Sequence, residues 1–266
     1  MVRIFRIILL LGFITTFFTA CSKSSEDILS QNQNSSTKIV DGHVASISDY
    51  ASKVTVLLYD SNNKGVCTGA LLSPYLVITA AHCVDDSSRD SLTVVFHQNN
   101  SSFENEKFAR VNKIIVHERY DAGKEEDGND IALVMLKDSA PGTYEGVKLL
   151  TDVSVINENS LILVAGFGRY NSAAAGDLKL RWGYSKVESN TVYSKEILLD
   201  QSFYSGVCKG DSGGPVFVKS NNTWYYLGVI SSALYSRNSK DFCKETALIT
   251  KASAYYDWML GVLKSL

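Results

Sequence analysis

Three short stretches hold the residues able to do chemistry. Acyl transfer by a serine needs a base to take the hydroxyl proton, a carboxylate to orient that base, and amide donors for the developing oxyanion. Gly210-Asp211-Ser212-Gly213-Gly214-Pro215 offers a serine in a tight glycine-flanked turn, where the N–H groups of Gly210 and Ser212 can converge on a carbonyl oxygen. Taken alone, such a stretch is as readily an ordinary turn before a strand. Thr79-Ala80-Ala81-His82-Cys83 follows an apolar run, and its small residues let the His82 imidazole sit over a cleft, although a lone histidine is usually structural. Asn129-Asp130-Ile131-Ala132-Leu133 puts a carboxylate at the start of a buried strand. An unpaired charge there is expensive, so Asp130 needs a partner.

The elements that must position these groups read as β. From Ile39 onward, short apolar runs of strand length alternate with polar turns: 54–59, 75–79, 92–96, 111–116, 131–136, 161–165, 215–218 and 224–230. Asn62-Asn63-Lys64-Gly65, Asn99-Asn100-Ser101 and Ser220-Asn221-Asn222 are the turn signals between them, a pattern that predicts a sandwich or barrel. Helix is scarce. The clearest one is C-terminal, with Ser253 as cap and Trp258, Met259, Val262, Leu263 and Leu266 recurring at helical spacing on a face that packs on the body. The 266 residues are 45% apolar and 20% charged, which excludes a disordered or low-complexity chain. With 26 Lys plus Arg against 28 Asp plus Glu, the net charge of −2 gives no global attraction for nucleic acid or anionic lipid.

Residues 1–20 read as an export signal: Arg3 and Arg6, then an apolar run from Ile7 to Phe18 too short for a membrane span, then Thr19 and Ala20. Phe18-Thr19-Ala20-Cys21 resembles a bacterial lipobox, with Cys21 the lipidated residue; a plain secretory signal is the alternative, although Phe18 fits poorly in its third position before the cut. The expected location is the bacterial cell envelope, lipid-anchored in the periplasm or on the outer membrane, with release to the exterior. Residues 21–38 are Ser, Asn, Gln and acid, a composition that reads as linker or propeptide. Setting Cys21 aside leaves four of the five cysteines, an even number that suggests two disulfides among three pairings.

The motifs around His82, Asp130 and Ser212, in that order, resemble those of the trypsin/chymotrypsin family of serine proteases. The similarity runs over nearly all of residues 39–266, through Ile39-Val40-Asp41-Gly42, Cys67-Thr68-Gly69-Ala70-Leu71-Leu72, Ile115-Val116-His117 with Tyr120, Gly166-Phe167-Gly168, and Thr250-Lys251-Ala252 with Tyr256 and Trp258. It implies an all-β fold of two six-stranded antiparallel β-barrels with a C-terminal helix and the site in the crevice between them. Ser212 would be the nucleophile, His82 the base and then acid, Asp130 its orienting partner, and the amides of Gly210 and Ser212 the oxyanion hole. Ser231 matches a serine that bonds the aspartate. The implied disulfides are Cys67–Cys83 and Cys208–Cys243. The implied activity is serine endopeptidase action on proteins or peptides, by a monomer. A non-catalytic binding module on the same scaffold and an esterase with the same machinery are the alternatives.

The resemblance also implies a zymogen: a cut after Lys38 frees the Ile39 amine to pair with Asp211, the acid before the nucleophile. Asp41 stands where this opening motif usually has glycine. The substrate pocket would have Gly206 and Val207 at its floor, where trypsins carry an aspartate, and Ser231, Ser232, Ala233 and Ala247 on its walls. Small or medium aliphatic residues are therefore expected before the cut, and the activator is expected to be a separate trypsin-like protease. The calcium loop of some relatives is represented only by Asn105-Glu106-Lys107-Phe108, without an acidic partner near His97, so no metal and no cofactor is expected.

Overall fold

The computed structural model describes residues 39–97, 99, 106–124, 128–158, 160–171, 173, 176–193, 195–202, 204–234, 241 and 243–265. The signal and linker expectations, with Cys21 and Lys38, and positions 235–240 of the pocket wall lie outside these residues.

Six strands close the first barrel: β2 (Thr55–Asp60), β3 (Gly65–Ser73), β4 (Leu76–Thr79), β5 (Leu92–Phe96), β6 (Lys107–Val116) and β7 (Ala132–Leu136). Their order around the wall is β2-β3-β4-β7-β6-β5, and β2 meets β5 with Leu57 opposite Val95. The second barrel uses β8 (Leu161–Gly166), β9 (Arg181–Tyr193), β10 (Glu196–Asp200), β11 (Pro215–Ser220), β12 (Thr223–Leu234) and β13 (Thr246–Lys251), with β1 (His43–Val44) added at β9. Because β8 pairs with both β11 and β9, this sheet also returns on itself. The two six-stranded antiparallel barrels expected from the motifs are therefore present.

The strand runs lack a clean apolar/polar alternation because both faces are covered. Successive side chains point to opposite sides of a strand. On β7, Ala132, Val134 and Leu136 fill the first barrel while Leu133 joins the cluster between the barrels. On β8, Ile162 and Val164 fill the second barrel while Leu163 and Ala165 face that shared cluster; on β11, Val216 and Val218 point inward and Phe217 joins Leu163. On these three strands one face is thus buried inside its own barrel and the other against the cluster shared with the neighbouring barrel.

Helices are two and short among the described residues: α1 (Tyr50–Val54) and α2 (Tyr256–Lys264). A 3-10 turn over Ala252–Tyr255 leads into α2, so Tyr255 stands at the cap and Ser253 does not. The turn swings Tyr255 inward to a buried position beside Met259, whereas Leu263 is exposed. Packing of Tyr255 against the body decides where this helix starts.

Candidate active site

Asp130 lies just before β7 with 0% of its side chain exposed, and both of its oxygens are occupied. Oδ1 accepts the His82 backbone N–H at 3.0 Å. Oδ2 meets His82 Nδ1 at 2.8 Å and accepts the Ser231 hydroxyl at 2.6 Å. Burial alone would raise this carboxyl, but the hydrogen bonds and charge of His82, with the Ser231 hydroxyl, outweigh it and hold Asp130 below the usual carboxylate value. The expected partner of Asp130 is His82.

Asn129 sets the direction of the Asp130 loop. It has φ 71°, a left-handed conformation that asparagine tolerates better than most residues. Its N–H donates to Tyr255 Oη at 2.6 Å and its Oδ1 accepts from Lys195 Nζ at 2.9 Å. Ser231 is aimed by a bulge. In the β12–β13 ladder Ile230 pairs with Ile249 and Ser232 with Leu248, so Ser231 is the extra residue, and such an insertion re-aims a side chain.

His82 follows β4 in a 3-10 turn over Ala81–Cys83, with its side chain 27% exposed. The Cys67–Cys83 disulfide anchors this turn to β3, with the two Cα atoms 6.0 Å apart. The half-exposed imidazole and the buried carboxylate give one dry end and one wet end to the relay.

Ser212 sits in a turn held from both barrels. Its carbonyl accepts the Thr68 N–H at 2.8 Å, and the Thr68 hydroxyl donates to the Gly210 carbonyl at 2.8 Å. On the other side the Gly213 N–H donates to the Ile230 carbonyl at 2.8 Å, one residue before Ser231. Gly213 has φ 80°, and a Cβ there would lie 2.1 Å from Thr79 Oγ1 and 2.2 Å from the Thr68 carbonyl oxygen. Only glycine lets the turn press against the strand that leads to His82. These contacts tie the Ser212 turn to Thr68 on one side and, through Ile230, to the strand that carries Ser231 on the other. The N–H groups of Gly210 and Ser212 are given to no other group among the described residues, which leaves both donors for a ligand.

Asp211 is fully buried behind the serine. It accepts the Gly168 N–H on Oδ1 and the Cys208 N–H on Oδ2, both at 2.8 Å. Burial pushes its carboxyl up to about 7, ahead of the lowering effect of these two bonds and of the Arg181 charge. Arg181 itself is bound at both terminal nitrogens by Asp177, at 2.7 and 2.6 Å.

Ile39 is 1% exposed and shares an apolar cluster with Val207 and Ile230. Val40 and Gly206 exchange backbone hydrogen bonds at 3.1 and 2.8 Å. Asp41 adopts φ 64°, the left-handed turn that its glycine-replacing position requires, and its Oδ2 pairs with Lys244 Nζ.

Of the pocket residues, Gly206 approaches the Cys243 carbonyl so closely that a Cβ would lie 1.9 Å from its oxygen. Val207 and Ala247 are buried in the second-barrel core, Ser231 turns its hydroxyl to Asp130, and Ser232 and Ala233 are half-buried. The Cys208–Cys243 disulfide is formed beside them, with Cα atoms 4.8 Å apart. Two disulfides fit an exported protein. His97 Nδ1 stands 2.6 Å from Glu106 Oε1 in a buried pair. The only cluster of metal-ligating types among the described residues is His82 with Cys67 and Cys83, and those sulfurs are joined in the disulfide.

Several residues important to this geometry carry no signal of their own in the sequence. Thr68 is one residue of an apolar strand, yet it braces Gly210 and Ser212 together. Tyr255 could be found only by knowing which way its turn swings.

The family model described as Trypsin matches residues 39–259. Bovine (Bos taurus) chymotrypsin-C is 27% identical over 263 residues, covering 92% of this chain and 95% of that protein. Chymotrypsin-like elastase family member 1 is 26% identical over 243 residues in Bos taurus, covering 86% of this chain and 90% of the relative. The protein of that name from Homo sapiens is 24% identical over 256 residues, covering 91% and 97%. With the two barrels and both disulfides in place, the chain belongs to the trypsin family of serine proteases, whose substrates are peptides and proteins.

Proposed function

We propose that the chain is a serine endopeptidase acting through an acyl-enzyme. The observation that carries this is the bonded series Ser231, Asp130 and His82, linked through the Ile230 carbonyl beside Ser231 to a glycine-flanked serine turn whose Gly210 and Ser212 amides donate to no group among the described residues. Ser212 Oγ attacks the scissile carbonyl carbon while His82 Nε2 takes its proton; the C–N bond then breaks as that proton passes to the leaving amine. Water repeats the sequence on the ester and restores Ser212. Asp130 keeps Nδ1–H directed away from the serine and stabilises the imidazolium. The Gly210 and Ser212 amides stabilise the oxyanion, an effect commonly the largest single contribution. A non-catalytic scaffold is the competing outcome. Treating the form beginning at Ile39 with a sulfonyl fluoride separates the two: the protease is labelled at Ser212 and the scaffold is not.

The same reading includes activation and specificity. Cutting after Lys38 frees the Ile39 amine, and a buried Asp211 without a full counter-charge gives that amine a destination. Pairing there orders the turn that carries the oxyanion donors. With Cys21 lipidated, the cut also releases the enzyme from its membrane. Gly206 leaves no room for a side chain to attract Lys or Arg, and Ala247 carries a methyl where a glycine would keep a deep pocket open, so cleavage follows small or medium aliphatic residues. Such a pocket cannot accept Lys38, and activation falls to a separate trypsin-like protease. Purified precursor should stay uncut alone and convert on adding trypsin; spontaneous conversion would overturn this arrangement. A peptide panel varied only before the cut tests the pocket, and a strong Lys or Arg preference would contradict it.

A further inference from the structure

Beside the nucleophile turn, three loops border a cleft of about 280 Å³ lined by Lys64, Val66, Phe167, Arg169, Lys209 and Gly210 among others. Lys64 is at the tip of the β2–β3 turn, held in a left-handed conformation (φ 56°), with the Asn63 side chain accepting the Gly65 N–H. Arg169 follows β8, and its N–H donates to the Lys209 carbonyl at 2.9 Å. Lys209 precedes the oxyanion glycine.

Three cations from separate loops thus border one space, and among the described residues none that lines it is acidic. Among the described residues neither Lys64 nor Arg169 forms an ion pair. Asp177, the acid nearest Arg169 in sequence, has both oxygens on the guanidinium of buried Arg181.

The position of the cleft fixes which part of a substrate meets it. The turn at Ser212 is held between β12, through Gly213 and Ile230, and β3, through Thr68. Ser232 and Ala233 of the pocket belong to β12; Val66, two residues before Thr68, belongs to the cleft. A peptide whose acyl residue sits against β12 therefore crosses Gly210 with its leaving segment over the three cations.

We propose that this cleft selects substrates carrying Asp or Glu within the first two residues after the scissile bond. This rests on the protease reading above and adds the chemistry of the leaving segment. A carboxylate there can bind the Arg169 guanidinium through two hydrogen bonds, with the two ammonium groups adding charge.

The test uses peptides identical except for Asp, Ala or Lys at the first or second position after the cut. For the form beginning at Ile39 the expected kcat/KM order is Asp, Ala, Lys, with about tenfold between Asp and Ala, since exposed ion pairs are individually weak and three cations act together. The ratio should fall toward one in 1 M salt, and in the double variant Lys64→Gln/Arg169→Gln. Equal rates for Asp and Ala in the wild type, or an undiminished ratio in the double variant, overturn the proposal. Binding of the same peptides, fluorescently labelled, to Ser212→Ala measures the preference without turnover. If no peptide is hydrolysed, the protease reading fails, while an Asp-over-Lys affinity ratio in this second measurement still upholds the cleft and its absence still refutes it.

Discussion

Freeing the Ile39 amine should change how stability depends on pH, because it changes what faces Asp211. In the continuous chain, burial pushes this carboxyl from 3.8 up to about 7, outweighing the bonds from Cys208 and Gly168 and the Arg181 charge. Between those values the folded chain retains a proton that the unfolded chain has released. Stability therefore falls as pH rises through that window, is unaffected by this group below it, and is level above it. A difference of about three pH units at 1.36 kcal/mol each amounts to about 4 kcal/mol. In the cut form the ammonium makes the ionised carboxylate favourable, so the fall between pH 4 and 7 should largely disappear. The cut form should then lose stability at higher pH, as the amine deprotonates. Urea midpoints for Ser212→Ala, measured from pH 4 to about 10 in the continuous form and in the form starting at Ile39, give both curves without self-digestion. Parallel curves would refute the pairing of Ile39 with Asp211.

Further perturbations test the support of the site. Ser231→Ala removes the 2.6 Å bond to Asp130; a bond to a charged group is worth about 1.5–3 kcal/mol, so kcat/KM should drop about tenfold or more with KM nearly unchanged, and an unaltered kcat would contradict its positioning role. Gly213→Ala drives a methyl into Thr79 and the Thr68 carbonyl at φ 80°; hydrolysis should be lost and the melting temperature lowered, whereas a fully active, stable variant would show the turn to be looser than described. Tyr255→Phe strands the buried Asn129 N–H, which now donates at 2.6 Å; denaturant titration should show destabilisation of about 1–3 kcal/mol.

Much of the fold could be read from the sequence because the strands are bounded by Gly, Asn and Ser turns. The strand at Leu92–Phe96 falls on the predicted residues, and the Leu161 and Pro215 strands begin where predicted. The strands β9, β10 and β13 are harder to read. In β9 and β10 charged and polar residues such as Arg181, Ser185 and Glu196 are buried, which hides the apolar pattern. The relay residues were legible because serine, histidine and aspartate each stand in a distinctive local setting. The devices that aim them were not: the bulge at Ser231, the brace from Thr68 and the inward Tyr255 all depend on pairing with distant strands. The three cations around the cleft are likewise separated along the chain, and only the meeting of their loops gives them a common meaning.

The most direct test of the central claim is mass-spectrometric mapping of a sulfonyl fluoride adduct on the protein cut before Ile39, alongside Asp130→Asn and His82→Ala. A single adduct on Ser212, formed far more slowly in both variants and accompanied by loss of peptide hydrolysis, is the predicted result. An unmodified Ser212, or modification at the same rate in all three proteins, would contradict the account.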